Sequence, residues 1–502
     1  MGSLVSNISA VSSAVYGVNV LEQDPPGGVR GAGTNIVAVV ANLPWGPVDA
    51  VTEISSPAEF FATFAPTVFD NGTTTGMLNT WAALKAFVNK TFPNTVKVAR
   101  ISPATQATAT KLFDDASAGD SVTVTANYPG ALGNSISVAW TANADDATAR
   151  DATVTIGTSY SVTYKNVATI VSAALVVTDP GDPYVTFAKA SGATLVPVAI
   201  AATALATGVD GTEASGDYGT CLDLFAGADE EFSVGFVAEP GSAVVDAVNT
   251  LLEAFVNTHG RGFWVLSTPA AQSSSAAITY AADRRSDRLL YPWPRVKMSN
   301  PFDPDRAEVT VDGAAFAAVA VASVQPEESP GGAPGAPYLR GITGLETSAT
   351  RIQLEAMRSG GVTPFFMSSA MAGAILYDAR TTSVTSGREK VFRRRMTDFI
   401  LSSVAAYLEQ FTGTKLDIDL AGRRLGPVTD AEIGGLVAYL EGLKQTERIR
   451  SYSVDPFGGN LQDNIDAGQF IILMPVKLYS VQEDIILKAT IGESVTISST
   501  AA

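Results

Sequence analysis

The sequence predicts a multidomain α+β protein: an α/β core carrying an inserted all-β outer domain, an α/β C-terminal domain, and extended strand arms at both termini. Three observations predict it. Apolar runs of strand length and helix-spaced apolar residues alternate on both sides of a stretch rich in Thr, Val, Ala and Ser, from about Thr105 to Gly211. Within that stretch the alternation has period two, the mark of strands with one polar face. The chain of 502 residues also exceeds what one core can organise and corresponds to about three domains. The expected partition is a linking arm over 1–25, a middle α/β domain over 26–105 and 212–370, a β-rich insertion over 106–211, a C-terminal domain over 371–482 and a strand arm over 483–502.

Taken in order, the run Val15–Leu21 alternates like a strand, but Pro25, Pro26, Gly27 and Gly28 cut it off from the core segments after it. "TNIVAVVANLPWGPVD" is a buried strand ending in a turn. Leu78, Trp81, Leu84 and Val88 then recur at helix spacing, and "VKVARI" closes a β-α-β unit. The insertion shows clean alternation in "SVTVTA", "ATVTIGTSYSVTY" and "PYVTFAKA". The α/β pattern resumes with "FSVGFVAEPG" and a helix capped by Ser242, with Val244, Val248, Leu251 and Phe255 on one face and Gly260 as its stop; the strand "RGFWVLS" comes next. In the final third, Phe392, Met396, Phe399, Ser403 and Tyr407 share a helix face widened by Ile400, Val404 and Phe411. A second helix opens on a capping box, Thr429 with Glu432, and buries Ile433, Leu436, Val437 and Leu440. Two strand-like runs end the chain: Phe470–Val481, and a stretch in which Ile485, Leu487, Ala489 and Ile491 alternate with their neighbours.

Composition narrows the function. With 33 basic and 50 acidic residues the net charge is -17, a surface that repels nucleic acid and anionic membrane, so neither is expected as a partner. A single cysteine, Cys221, forms no intrachain disulfide and suits a reducing cytoplasm, and the first 20 residues lack the Lys or Arg of a secretory leader. The most apolar stretch, "GAAFAAVAVASV" from Gly313, is shorter than the about 20 residues that span a bilayer. His259, the one histidine, sits at a helix C-terminus, where a polar side chain serves the last carbonyls; the structural reading outweighs catalysis. "DIDLAG" at Asp417 begins like a calcium loop, but Ala421 and Val428 stand at ligand positions. No P-loop occurs, and "GVRGAGTN" leads into a strand where a dinucleotide loop requires a helix. "YPGALGNSISVAW" fails the same test: it is a turn that aims a strand. No catalytic residue, metal or cofactor is expected. A carboxylate pair assembled in space, as in a glycan hydrolase, stays open. Arg388, Lys390, Arg393, Arg394 and Arg395 form the one local basic excess, read either as a solvated helix face or as a docking surface for an acidic partner, with Arg394 and Arg395 alternatively bracing the domain internally.

Several motifs, in order, resemble the tail sheath family of contractile bacteriophages and related contractile particles. They are "YGVNVLEQ", "GTNIVAVVANLPWGPVDAVTEISSPAEFFATF", "ALKAFVNKTFPNTVKVARI", "YPGALGNSISV", "ATGVDG", "LLYPWPRV", "YDARTTS" and "FRRRMTDFILSSVAAYLEQF". The likeness spans nearly the whole chain, and "LLYPWPRV" is its most specific motif. The chain departs from the family between 326 and 350, where no Trp-Lys-Ala-Pro sequence occurs. The resemblance implies a structural, non-enzymatic virion subunit, made in the host cytoplasm. Such subunits stack as six-fold rings around a tail tube protein, alongside baseplate and tail terminator proteins, and contract to drive the tube through the host envelope. It also implies that the C-terminal domain faces the tube, which makes the Arg388–Arg395 cluster a candidate tube contact. A sliding array needs links that survive the motion. Val15, Tyr16, Val18 and Val20 of one subunit are therefore expected to add as a strand to Ile485, Leu487, Ala489 and Ile491 of a neighbour. The alternative is a non-contractile virion or surface-layer protein, which needs no paired arms.

Overall fold

A computed structural model describes residues 36–69, Thr80, Ala83, 95–227, 232–260, 262–299, 308–332, Leu339, 341–368 and 373–480. These fall into two compact units, 36–401 with 478–480, and 402–477. Mixed α and β structure in several sheets agrees with the expected fold class.

The larger unit is built on a six-stranded sheet that the chain enters twice. Strands β1 (Val37–Ala41), β2 (Val51–Ile54) and β3 (Val96–Arg100) precede the 106–211 segment, and β12 (Val234–Ala238), β13 (Trp264–Val265) and β14 (Leu289–Leu290) come after it. The order is β14-β13-β12-β1-β3-β2, with β2 antiparallel and the rest parallel. β1 is the centre: Val39 lies opposite Phe236 on one side and Val98 on the other. Such a strand is buried on both faces and reads as a continuous apolar run. Val37, Val39 and Ala41 face one core, with Phe60 and Phe64 of helix α1 (Pro57–Phe64). Ala38 and Val40 face the other, with α2 (Ser215–Leu224), α3 (Val245–His259) and α4 (Ser274–Ala282). Helix α5 (Ala314–Ala322) is buried on every side except at Val319, the fate of a helix apolar all round.

Between β3 and α2 lie β4 (Thr110–Asp114), β5 (Asp120–Ala126), β6 (Ile136–Ala142), β7 (Ala149–Ile156), β8 (Tyr160–Val171), β9 (Ala174–Val177), β10 (Val185–Lys189) and β11 (Ile200–Ala204). They form two antiparallel sheets, β10-β5-β4 and β11-β6-β7-β8-β9. Trp140 anchors their shared core, 5.9 Å from Phe113 and 5.8 Å from Phe187 between ring centroids. The two ends of the segment meet: the Thr212 amide donates to Thr105 Oγ1 at 3.2 Å.

Two small sheets complete this unit: β15 (Pro292–Trp293) with β19 (Thr363–Ser368) and β20 (Gly373–Leu376), and β16 (Val296–Met298) between β17 (Val309–Val311) and β18 (Ile342–Leu345). Helix α6 (Arg351–Gly360) starts from a capping box of Thr350 and Gln353. A boundary after residue 370 would separate β19 from its antiparallel partner β20, so the larger unit extends to Leu401, part-way along α7 (Val391–Glu409). The expected face of α7 is buried: Phe392, Met396, Phe399, Ile400, Ser403, Val404 and Tyr407 are all at most 8% exposed.

The second unit holds the hairpin β21 (Ile418–Asp419) with β22 (Arg424–Leu425), helix α8 (Pro427–Gln445), β23 (Ser451–Tyr452), α9 (Gln462–Asp466) and β24 (Val476–Lys477), the last paired with β23. Two expected caps are displaced. α8 begins at Pro427 behind Gly426, because proline's fixed φ and missing N–H suit a first helical turn. Thr429 therefore lies inside the helix, where its hydroxyl accepts from the Asp417 amide at 3.4 Å. Leu436, Leu440 and Leu443 are buried, while Ile433 is half-buried and Val437 exposed. Likewise α3 begins at Val245, and Ser242 lies in the preceding turn; the buried face is Val245, Val248, Leu252 and Phe255.

Candidate assembly interface

Val15, Tyr16, Val18, Val20, Ile485, Leu487, Ala489 and Ile491 lie outside the described residues, as do Leu78, Trp81, Leu84 and Val88. In the described part of the C-terminal run, Phe470–Tyr479 alternates between half-buried and exposed residues, as one side of a ribbon does. Ile471 and Leu473 are 37% and 43% exposed, and Leu461 is 69% exposed.

The five basic residues separate into two groups. Lys390 is 4% exposed and its Nζ lies 3.2 Å from Asp378 Oδ1 and Oδ2. The same carboxylate accepts from Arg380 Nε at 2.7 Å and Arg358 Nε at 2.9 Å. Burial pushes the Asp378 carboxyl up, but Lys390 and Arg380 outweigh it and hold it below the usual carboxylate range. This hub is the aspartate of "YDARTTS". Arg394 pairs with Asp398 and lies 3.4 Å from Asp287, and Asp398 also takes a two-pronged contact from Arg288, 2.9 Å on each side. Arg395 is 5% exposed and donates to the Val324 carbonyl through both terminal nitrogens at 3.1 Å; burial pushes it down to about 10. Lys390, Arg394 and Arg395 thus brace the larger unit internally, which corrects the reading of the cluster as one solvated face. Arg388 is exposed, and Arg393, 30% exposed, reaches Glu389 at 3.7 Å.

The motifs of the sequence resemblance take up structural work. In "SSPAEFF" the Ser56 hydroxyl accepts from the Glu59 amide at 3.2 Å and caps α1. In "LLYPWPRV" Tyr291 and Trp293 are buried, and Trp293 Nε1 donates to the Gln272 carbonyl at 2.9 Å. "YPGALGN" forms a 3-10 turn (Ala131–Ser135) that leads into β6, and it clasps the "ATGVDG" turn. Asn134 exchanges two bonds of 2.8 Å with the Gly208 backbone, and Ala131 N donates to Asp210 Oδ1 at 2.7 Å. A Cβ at Gly208 would lie 2.4 Å from the Gly130 carbonyl oxygen, so only glycine fits that approach.

Arg100, a residue whose role the sequence does not display, holds this clasp to the core. It is fully buried at the end of β3, and Nε, Nη1 and Nη2 donate to the carbonyls of Leu43 (2.7 Å), Gly46 (2.7 Å) and Pro129 (2.8 Å). Burial pushes its guanidinium down to about 10, against the pull of Asp210.

His259 ends α3 beside Phe255, ring centroids 5.0 Å apart, and Gly260 succeeds it at φ 60°, the left-handed stop that glycine favours. Cys221 is buried; burial pushes its thiol up to about 12, far from the thiolate that cysteine chemistry needs. Among the described residues no group of three or more His, Cys, Asp or Glu could hold a metal ion, and no helix is long and apolar enough to cross a membrane.

No protein-family model matches the chain, and no curated protein sequence does. Solved structures do match, along almost the full length of both chains. The sheath tail protein of Listeria innocua is 18% identical, with a TM-score of 0.62 over 90% of this chain and 96% of that one. The sheath tail protein of Desulfitobacterium hafniense is 16% identical, with a TM-score of 0.61 over 93% and 100%. The helical sheath of the anti-feeding prophage in its contracted state is 14% identical, with a TM-score of 0.58 over 96% and 99%. The chain has the fold of a contractile tail sheath protein.

Proposed function

We propose that this chain is the structural subunit of a contractile tail sheath, a non-enzymatic protein that polymerises as stacked six-fold rings around a tail tube and contracts to drive the tube through a host envelope. The observation that carries the reading is the fold likeness to sheath proteins over nine-tenths or more of both chains. In this reading the partners are further copies of the chain, the tube protein, and baseplate and tail terminator proteins; the subunit is made in the host cytoplasm and resides in the virion. Electron microscopy of the purified protein tests it: hollow striated tubes are expected, and flat lattices or closed shells would overturn it. Within that assembly, strand exchange between residues 15–21 of one subunit and 485–491 of a neighbour supplies a main-chain link that persists while rings slide. Removing residues 1–24 should leave a folded, soluble protein that forms no tubes. Normal tube formation by that protein would reject the exchanged arm.

A further inference from the structure

The strands between β3 and α2 close on themselves. β11, β6, β7, β8 and β9 are neighbours in one sheet, and β10, β5 and β4 in the other. The sheets join where Thr110 of β4 exchanges backbone bonds of 2.8 and 3.0 Å with Ala206, just after β11, and again where β9 lies beside β10. Counted either way round, β9 and β11 are four strands apart, on opposite sides of the inserted domain.

Both sides carry exposed apolar residues. The β8–β9 hairpin exposes Val171 (52%) and Val176 (45%), and Ser172, Ala173 and Ala174 between them are exposed as well. Its tip holds Ser172 and Ala173 at φ 51° and 63°, where Asn-Gly would be unstrained, and so keeps a methyl group at its end. On the opposite side five consecutive residues, Val198–Ala202, are all exposed, with Val198 at 42% and Ile200 at 40%; Leu112 of β4 is 39% exposed. Apolar runs of that length are disfavoured on a free surface unless they make a contact. Neither side carries charge: no charged residue occurs from Asn166 to Thr178 or from Ala190 to Val209. The 106–211 segment as a whole holds nine aspartates and four basic residues, so the neutrality is local to these two stretches.

We propose that the two surfaces bind each other between copies of this chain, the β8–β9 hairpin of one subunit lying on the Val198–Ala202 face of the next. Copies of an acidic chain repel one another least where neither contributes charge. A partner of another kind would need one such surface. Two unlike surfaces on opposite sides of one domain instead make a head-to-tail contact that continues from copy to copy, closing as a ring or running on as a helix. The inference deepens the sheath reading, from which it takes neighbouring copies held side by side, and it gives the inserted domain a part in holding them. Each contact is small, and repetition through the array makes the sum matter.

The test is thiol cross-linking of the full chain. Val171→Cys and Val176→Cys mark the hairpin, and Val198→Cys and Ile200→Cys mark the opposite face; all four positions are exposed, and the native Cys221 is buried. A hairpin variant and a β11-side variant are mixed as free subunits, allowed to associate, and treated with a short bis-maleimide. The mixture is expected to give several-fold more covalent dimer than either variant alone. Equal dimer from single variants would mean that like surfaces meet, and absence of dimer from every pairing would mean that the surfaces do not meet; either result overturns the proposal. Micrographs of the same mixtures separate it from the sheath reading. Striated tubes without mixed dimer remove the contact and leave the sheath standing, and mixed dimer without tubes does the reverse.

Discussion

Arg100 shows how much one side chain can determine. Its three carbonyl partners lie 57, 54 and 29 positions away in sequence, in the loop after the central strand and in the turn that opens β6. "VKVARI" reads as a strand ending in a cation, but no spacing rule reveals where a guanidinium goes once the chain is folded. Arginine fits because its planar fork serves several acceptors at fixed angles, and lysine has a single point of donation. Arg100→Met keeps most of the volume and donates nothing, leaving buried carbonyls without partners. That is expected to cost about 2–4 kcal/mol in chemical denaturation, and Arg100→Lys about half of it. A loss below about 1 kcal/mol for the methionine variant would show that the carbonyls are satisfied by other means.

At the scale of elements, the 106–211 segment leaves and re-enters the chain at one place and is anchored by packing. Thr105 and Thr212 are hydrogen-bonded neighbours, so replacing 106–211 by two glycines is expected to keep the sheet strands on either side, at the cost of the Arg100 bond to Pro129. Two core-side aromatics nevertheless belong to the insertion's packing. Trp45 lies 5.5 Å from Tyr128 and Phe69 5.6 Å from Tyr184 between ring centroids, and both are at most 2% exposed. Excision should therefore leave a folded body that aggregates through Trp45 and Phe69, and Trp45→Ser with Phe69→Ser should restore solubility. Failure of the excised chain to fold even with both changes would show that the insertion is part of the core. The insertion's strands were legible because their half-exposed faces alternate, and α7 because its apolar positions recur at helix spacing; the apolar stretch from Gly313 reads only as too short to span a bilayer, and it forms α5. Helix α2 was not: Gly216 and Gly219 lie inside it, and it forms because Tyr218, Cys221 and Leu222 fill the space beside β1 and α3. The misplaced caps at Ser242 and Thr429 have the same origin. A good capping residue lay near each helix start, but Gly426 before Pro427, and the turn before Val245, decided where the helix began.

For the whole molecule the question is which cations remain for a partner. A chain of net charge -17 meets copies of itself at a cost that salt relieves, and in the sheath reading attraction to acidic groups on a tube has to come from exposed basic groups. Sequence alone offered five within the eight residues from Arg388 to Arg395. Folding commits Lys390 to Asp378, Arg394 to Asp398 and Asp287, and Arg395 to the Val324 carbonyl. Arg388 is exposed and Arg393 is half-buried against Glu389, so in the sheath reading the tube contact rests on Arg388 first. A single exposed pair contributes about 0–1 kcal/mol, small enough to release during contraction, while repetition around each ring makes the sum matter. Charge reversal separates the two groups. Arg388→Glu should leave the unfolding midpoint of the subunit unchanged, weaken assembly on the tube, and reduce the salt sensitivity of that assembly. Lys390→Glu should act through the subunit instead, because it buries a second carboxylate against Asp378; its unfolding midpoint should fall by several degrees before any tube is added. If Arg388→Glu changes neither assembly nor its salt dependence, the tube contact lies elsewhere, and the stretch from Arg388 to Arg395 serves only to hold the larger unit together.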